Sequence, residues 1–176
     1  MAPLGLMETE LPSFIPDTDN TDDLRRAFGQ FGTGVTLVTT QTAVGPLGMT
    51  ANSFSSVSLD PALVLWSAAC SSKRHDIFAE ATQFCIHILG SDQIDIANHF
   101  ALRGDGFDEH DWVAGPNGAP TMRGCLATFH CDTHAIYPAG DHSIIVGKVT
   151  QAAVHSTQRD GLMFDRGRFG RFRADQ

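Results

Sequence analysis

The stretch Gly48-Met-Thr-Ala-Asn-Ser-Phe-Ser-Ser-Val-Ser-Leu-Asp-Pro61 decides how this sequence is interpreted. From Met49 to Leu59 it consists almost entirely of Thr, Ser, Asn, Val and Phe, which favours an extended run. Asp60-Pro61 ends the run, and the apolar residues 62–66 that follow predict a strand covered on both faces. A row of hydroxyls, an amide and backbone groups can contact a planar heterocycle and a polyol chain. The alternative is a solvated edge strand whose Thr and Ser side chains satisfy themselves.

Other strand patterns surround this stretch. Residues 127–137 alternate between two sets of side chains, which is typical of a half-buried strand, and residues 138–141 form a turn before the chain runs back. Gly and Asp dominate the loop at 103–120. The remaining predicted strands are at 35–40, 84–89 and 143–149.

Helix signals are fewer. Asn20 or Thr21 can cap a first helix, whose Leu24, Ala27, Phe28 and Phe31 fall on one apolar face that we expect to dock on a core. Two further helices are predicted, near 74–82 and from Ser91 to about Leu102. Because strands outnumber helices and hairpins join most of them, the sequence predicts a mainly β fold, an antiparallel barrel with flanking helices.

Length, composition and charge limit the classes of protein. The chain has 176 residues and 19.0 kDa, with 42% apolar residues, which predicts a single domain, at 19–176. The three prolines within residues 1–18 predict a flexible N-terminal arm there. The net charge of −8 argues against a general nucleic-acid or membrane-surface binder. The sequence has no apolar run of membrane-spanning length and no signal-peptide pattern at its start, so we expect a cytoplasmic location.

The cysteines and histidines indicate neither disulfides nor a metal. Cys70, Cys85, Cys125 and Cys131 form no Cys-x-x-Cys pair and stand in apolar or alternating stretches. In a reducing compartment they are expected to be buried thiols that act as small hydrophobic residues. The eight histidines show no zinc spacing, and no metal site is expected.

Three further clusters could carry chemistry. Cys70-Ser-Ser-Lys-Arg74 precedes a predicted helix, where it is either an anion site or a capped helix with surface cations. Gly140-Asp-His142 lies at a turn, where His142 either reaches over a pocket or is simply exposed. Five of the twelve basic residues lie in the last 18 positions, interleaved with Phe. They suit either stacking on nucleic-acid bases or a cationic lip for a small anion, and the overall charge favours the second. These arginines are Arg159, Arg166, Arg168, Arg171 and Arg173.

Several enzyme motifs are absent from the sequence. It contains no Gly-x-Ser-x-Gly elbow, no Walker loop and no Gly-x-Gly-x-x-Gly that opens a helix. A nucleotide would therefore be bound without a Rossmann fold.

Taken in order, these pieces resemble the flavin reductase-like family, which has the FMN-binding split barrel fold and contains the small reductase partners of two-component flavin-dependent monooxygenases. The resemblance spans about residues 22–171. The matching stretches are Leu24–Thr36, Gly48–Pro61, Ser71–Arg74, Gly140–His142 with Gly147, and Gly167–Gly170.

The resemblance implies roles for individual residues. The isoalloxazine edge and ribityl chain of the flavin would be held by Thr50, Ala51, Asn52 and Ser53, with Ser55 and Ser56 nearby. The flavin phosphate would be bound by Ser72, Lys73 and Arg74. His142 and the segment from Arg166 to Phe169 would meet the nicotinamide nucleotide. The family often has Tyr where Phe169 stands, so stacking is kept there and a hydrogen bond is lost.

The resemblance also implies a homodimer that transfers hydride from NADH or NADPH to FMN or FAD and supplies reduced flavin to a separate monooxygenase. The cofactors carry this reaction themselves, which agrees with the lack of an acid–base pair in the sequence. The alternative from another class is a non-enzymatic flavin-binding or flavin-storage protein on the same barrel. Nucleic acid and membrane are not expected as partners.

Overall fold

The computed structural model describes residues 13–156 and 158–172. Residues 1–12 of the predicted arm and Arg173 lie outside the described residues, and residues 13–18 form neither helix nor strand. The helices are α1 (Thr21–Phe28), α2 (His75–Glu80) and α3 (Ile94–Leu102), with a 3₁₀ turn η1 at Phe107–Glu109. The strands are β1 (Thr33–Gly34), β2 (Thr36–Thr42), β3 (Gly45–Ala51), β4 (Ser55–Leu59), β5 (Ala62–Ala69), β6 (Gln83–Ile88), β7 (Trp112–Ala114), β8 (Pro120–Met122), β9 (Ala127–Ala139), β10 (His142–Val154), β11 (Leu162–Asp165) and β12 (Arg168–Arg171).

The strands form three antiparallel sheets. The large sheet has the order β3-β2-β6-β9-β10-β5-β4, so its edges are the two strands of the Gly48–Pro61 stretch. A second sheet, β1-β11-β12, and the pair β7-β8 complete the fold. The predicted mainly β, antiparallel architecture with flanking helices is confirmed, although the large sheet is not closed into a continuous barrel.

Two apolar cores lie on opposite faces of the central strands. Val38 and Trp66 belong to one cluster, which α2 completes with Phe78. Leu37, the neighbour of Val38, points to the other cluster and packs with Phe100 of α3. Successive side chains of a strand point to opposite faces, so β2 is buried on both sides. This double burial fixes β2, and with it the adjacent β3, against α3.

The structure corrects several details of the predicted elements. The extended run from Met49 to Leu59 is interrupted at 52–54, where the chain passes from β3 to β4 at the opposite edge of the sheet. β5 is buried on one face and only half buried on the other. The helix predicted from Ser91 begins at Ile94, because residues 91 and 92 form a turn. The loop predicted at 103–120 contains η1 and β7, and its last residue begins β8.

The prediction that α1 docks on a core is wrong. None of its residues is buried, and Phe28 and Phe31 are 68% and 78% exposed. The helix has only eight residues, and the Gly29 carbonyl that follows it accepts a hydrogen bond from the Arg166 backbone N–H at 3.1 Å. Phe28 at the end of α1 and Phe31 beyond it therefore line a cleft instead of the core. In the part of the chain that the structure describes, no helix is long and apolar enough to cross a membrane.

Candidate functional site

A cleft of about 580 Å³ separates the end of α1 from the link between β3 and β4. Its volume falls within the range of small-molecule sites. Of the described residues that line it, two are arginines, four are phenylalanines and none is acidic. The lining residues are Arg25, Phe28, Gly29, Phe31, Thr33, Asn52, Ser53, Phe54, Ser55, Phe164 and Arg166.

The β11–β12 hairpin forms one wall of the cleft. Arg166 occupies its turn with a φ of 46°, and Gly167 follows with a φ of 78°. A left-handed backbone is costly for a side chain other than Gly or Asn, so the structure around it must hold this turn in place. The hydrogen bond to the Gly29 carbonyl and the ion pair between the Arg166 guanidinium and Asp165, at 3.0 Å, stabilise this turn. The turn places an arginine at the cleft.

Hydroxyls of the Thr- and Ser-rich stretch are largely occupied by the protein itself. Thr50 Oγ1 donates to the Ala97 carbonyl of α3 at 2.8 Å. Ser53 Oγ accepts from the Ser67 backbone N–H at 2.8 Å, which ties the link to β5. These side chains therefore fix the path of the backbone between β3 and β4.

Free polar groups at the cleft come instead from the backbone and from two side chains. Among the described residues, the N–H groups of Asn52, Ser53 and Phe54 have no hydrogen-bond acceptor. The exposed Asn52 side chain makes no hydrogen bond within that set either, and Thr33 Oγ1 is buried without a partner. Unpaired polar groups on residues that line a largely apolar cleft are typical of a ligand site.

A smaller cavity of about 170 Å³ lies beside the cleft. Thr50, Ala51 and Asn52 line it from one side, and Phe164 and Phe169 line it from the other. The two rings are 5.3 Å apart, centroid to centroid. The structure thus brings together the residues predicted for the heterocycle and the Arg166–Phe169 segment predicted for the second nucleotide.

Arg74 is placed differently from the prediction that it binds a phosphate. Its guanidinium donates to the carbonyls of Gly48 at 3.1 Å, Phe100 at 2.7 Å, Arg103 at 2.8 Å and Ala101 at 3.0 Å. Burial lowers its pKa from the usual value. In this conformation the side chain joins the last turn of α3 to β3: Nη1 contacts three of these carbonyls and Nη2 contacts that of Ala101.

The other residues of the predicted phosphate turn are less constrained. Lys73 is exposed, while Ser72 is half buried and its Oγ accepts from the Arg74 backbone N–H at 3.2 Å. The helix that follows, α2, has only six residues. The phosphate role of this turn stays a prediction, with Lys73 as its free cation.

His142 lies beside this turn and not in the cleft of Arg166. It begins β10, pairs with Ala69 at the end of β5, and has a side chain 44% exposed. Its Nδ1 is 2.8 Å from Asp141 Oδ1, and this hydrogen bond with the histidine lowers the pKa of the Asp141 carboxyl. Within one chain, His142 and the Arg166–Phe169 segment therefore belong to separate groups of site residues.

Several residues that line the cleft were not predicted from the sequence. Arg25, Phe28 and Phe31 were assigned to an ordinary amphipathic helix, and Thr33 and Phe54 were given no role. A signal was present, because α1 is only eight residues long and the apolar spacing continues past its end to Phe31. Of the four cysteines, the three at 85, 125 and 131 are buried as predicted, but Cys70 is exposed. No group of three His, Cys, Asp or Glu side chains suited to a metal ion occurs among residues 13–156 and 158–172.

Comparisons with known proteins agree with this geometry. The chain is 52% identical over 161 residues to the FMN reductase (NADH) SmoA of Agrobacterium fabrum, and the match covers 90% of both proteins. It is 49% identical over 129 residues to the reductase component of the flavin-dependent trigonelline monooxygenase of Acinetobacter baylyi. That match covers 72% of this chain and 42% of the relative, so this chain corresponds to less than half of that protein.

Solved structures agree with both the fold and the family. The Streptomyces globisporus C-1027 NADH:FAD oxidoreductase SgcE6 superposes with a TM-score of 0.85 and 41% identity over 94% of this chain and 95% of that one. A second structure of SgcE6 is a complex with NAD and FAD fragments. The family profile described as flavin reductase like domain matches residues 28–173. With its open antiparallel split barrel and these relatives, the chain belongs to the flavin reductase-like family.

Proposed function

We propose that this protein is an NAD(P)H-dependent flavin reductase that transfers hydride from a nicotinamide nucleotide to FMN or FAD and supplies reduced flavin to a separate monooxygenase. The observation that carries the proposal is a cleft lined by Arg166, by four phenylalanines and by residues 52–54, whose N–H groups have no acceptor among the described residues. The named activities of SmoA and SgcE6 support the reaction, and the Acinetobacter relative supports a separate oxygenase as the recipient.

The residues present fit a flavin. Phenylalanine side chains suit a planar ring system, and successive backbone donors suit the carbonyl oxygens and nitrogens along one edge of that ring. The buried, unpartnered Thr33 Oγ1 is a further polar group that a ligand could satisfy. When bound, the flavin supplies the hydride-accepting chemistry, and the nicotinamide nucleotide supplies the hydride.

The chain's own contribution is binding, orientation and charge. Residues 52–54 are held by the Thr50 and Ser53 hydroxyls, so their N–H groups are preorganised to donate to an electron-rich ring edge. Arg166 and Arg25 make the cleft locally cationic in a chain of net charge −8. For hydride transfer the protein would need only preorganised donors and stacking that brings the two rings to near-attack distance. No side chain has to change its protonation state.

The principal test separates the reductase from a flavin-binding or storage protein. The purified protein is loaded with FMN or FAD under argon, and NADH or NADPH is added while the visible absorption band of the flavin is recorded. A reductase bleaches this band in repeated turnovers with added flavin, whereas a storage protein leaves it unchanged. Steady-state kinetics with FMN or FAD, each paired with NADH or NADPH, then rank the flavins and the nicotinamide nucleotides by kcat/KM.

Arg166 provides the matched test of the site. Arg166→Ala should lower kcat/KM for the nicotinamide nucleotide by about 10-fold, since one charge-assisted contact is lost. Arg123, which pairs with Asp111 on the surface, is the control, because Arg123→Ala removes an equally charged side chain elsewhere. Equal kinetics for both variants would contradict the assignment of Arg166.

A homodimer is part of the proposal. Edge strand β4 exposes Val57 and Leu59, which are 50% and 97% exposed. In the same sheet β9, separated from β4 by β5 and β10, exposes Tyr137. Exposed apolar groups on a sheet edge favour association. Light scattering after gel filtration should give twice the chain mass, and Leu59→Lys should reduce the measured mass.

We place this activity in the cytoplasm, where NADH and reduced flavin can meet a partner oxygenase, and fractionation of cells tests that location.

A further inference from the structure

Cys70 differs from the other three cysteines. Burial raises the pKa of the Cys125 and Cys131 thiols to about 12 and raises that of Cys85 as well. Thiolates react with electrophiles and oxidants far faster than thiols, so these three side chains are protected. Cys70 is exposed, at the end of β5.

The Cys70 thiol contacts a histidine, and that histidine contacts a carboxylate. Cys70 Sγ lies 3.7 Å from His75 Nε2, and His75 Nδ1 lies 2.8 Å from Asp76 Oδ1. The His75 side chain is 14% exposed, whereas that of Asp76 is 89% exposed. Cys70, His75 and Asp76 thus form a chain of contacts with a nucleophile, a base and a group that orients the base. None of the three lines the cleft described above.

The hydrogen bonds define which imidazole nitrogen is the base. Nδ1–H donates to the Asp76 carboxylate, which leaves the Nε2 lone pair to accept from Cys70 and, at 2.9 Å, from Ser143 Oγ. Ser143 is 8% exposed and is held in β10. Of the two groups that Nε2 can deprotonate, Cys70 is therefore the one that solvent-borne reagents reach.

We propose that Cys70 is a peroxide-reactive site activated by His75. His75 Nε2 takes the thiol proton, and the sulfur attacks one oxygen of hydrogen peroxide. The S–O bond forms as the O–O bond breaks, and the leaving hydroxide takes the proton to become water. The balance is one thiol and one hydrogen peroxide giving one sulfenic acid and one water. The sulfur is oxidised by two electrons and the peroxide is reduced by two.

Cys70 lies next to the turn predicted to bind the flavin phosphate, so its oxidation would affect flavin binding. Cys70 directly precedes Ser71 and the turn with the exposed Lys73, and its backbone N–H donates to the Asp141 carbonyl at 2.8 Å. The peroxide arises when reduced flavin that misses its oxygenase reacts with O₂, a source that rests on the proposed function. Oxidation at Cys70 would place a polar oxygen beside the turn predicted to bind phosphate, and it would weaken flavin binding when uncoupled turnover is high.

Direct treatment of the protein with hydrogen peroxide tests the site without flavin or NADH. Dimedone, which couples to sulfenic acids, is added, and labelled peptides are quantified by mass spectrometry. The expected label is on Cys70, with the other three cysteines unlabelled in the folded protein. His75→Gln should slow labelling by about 10-fold or more, and Asp76→Asn should slow it less. Because peroxide is added directly, the result does not depend on whether the protein is a reductase.

The control variant is Ser143→Ala, which removes the competing contact to Nε2 and should leave labelling equal or faster. If His75→Gln does not fold, the rate of iodoacetamide alkylation of the native protein replaces it. Alkylation of Cys70 at neutral pH that is clearly faster than that of free cysteine supports the site. A rate equal to that of free cysteine, the same rate in the His75→Gln variant, or label on a buried cysteine would overturn it.

Discussion

Arg74 and Lys73 are neighbours with different surroundings, since Arg74 contacts four carbonyls and Lys73 is exposed, and paired substitutions separate the roles expected of them. Arg74→Ala removes four bonds from the guanidinium to carbonyls of Gly48, Phe100, Ala101 and Arg103. Each bond to a charged donor contributes about 1.5–3 kcal/mol in a favourable, buried geometry. Arg74 is only half buried, and water can replace some of the lost donors. We therefore expect a loss of about 2–4 kcal/mol in the free energy of unfolding.

The same two variants give opposite patterns in ligand binding. Lys73 is exposed, so Lys73→Ala should leave stability unchanged and weaken FMN about 5–30-fold, with riboflavin hardly affected because it lacks the phosphate. Arg74→Ala should weaken FMN and riboflavin by similar factors, because it loosens β3 and not a phosphate contact. Urea unfolding gives the stabilities, and titration followed by flavin fluorescence gives the affinities.

One result would refute the assignment of Arg74 to the α3–β3 junction. If Arg74→Ala unfolds at the same urea concentration as the parent and weakens FMN but not riboflavin, its guanidinium binds the phosphate. The four carbonyl bonds would then be an arrangement that the ligand displaces. Arg74→Lys sharpens the test, since lysine keeps the charge but cannot reach four carbonyls at once.

Three further predictions follow from single residues. His142→Ala should raise KM for NADH and lower kcat/KM about 10–100-fold in steady-state assays with little change in flavin affinity; a collapse of flavin binding with intact NADH kinetics would move His142 to the other ligand. Gly48→Ala should cost about 1–3 kcal/mol in urea unfolding, because its Cβ would lie 2.5 Å from Phe100 Cδ1; an unchanged midpoint would show that Phe100 can move aside. His87 is fully buried, and burial lowers its pKa to about 4, so the unfolded state binds a proton first as pH falls from about 6.5. Stability should therefore drop by about 3 kcal/mol between pH 6.5 and pH 4, and a His87→Gln variant that loses as much over the same range would assign the drop to other groups.

The sequence predicted the sheet better than it predicted the site. The strand at 127–137 was predicted because its alternation directly reflects burial of one face, and short β-branched or apolar runs indicated the strands at 35–40 and 84–89. The exposure of Phe28 and Phe31 could not be found in this way. An apolar helix face looks the same in sequence whether it covers a core or borders a cleft.

The role of Arg74 was hidden for a related reason. In the sequence, Ser71-Ser-Lys-Arg74 is a run of hydroxyls and cations before a helix, and that composition fits an anion site. The guanidinium is instead turned toward residues 100–103, which lie 26–29 positions later in the chain. Local spacing contains no information about which distant carbonyls lack donors, and only the packing of α3 on β3 supplies it.

The Thr- and Ser-rich stretch therefore acts through its backbone more than through its hydroxyls. Thr50 is bound to α3 and Ser53 to β5, which holds the chain on both sides of Asn52, and the N–H groups of residues 52–54 have no acceptor among the described residues. Arg74 strengthens the same anchor by joining Gly48 to the end of α3. Hydride transfer between two bound cofactors requires a fixed, water-poor geometry with donors already in place, and it requires no acid or base. A strand end fixed by its own side chains provides that geometry, which explains why the most informative stretch of the sequence contains no ionisable residue before Asp60.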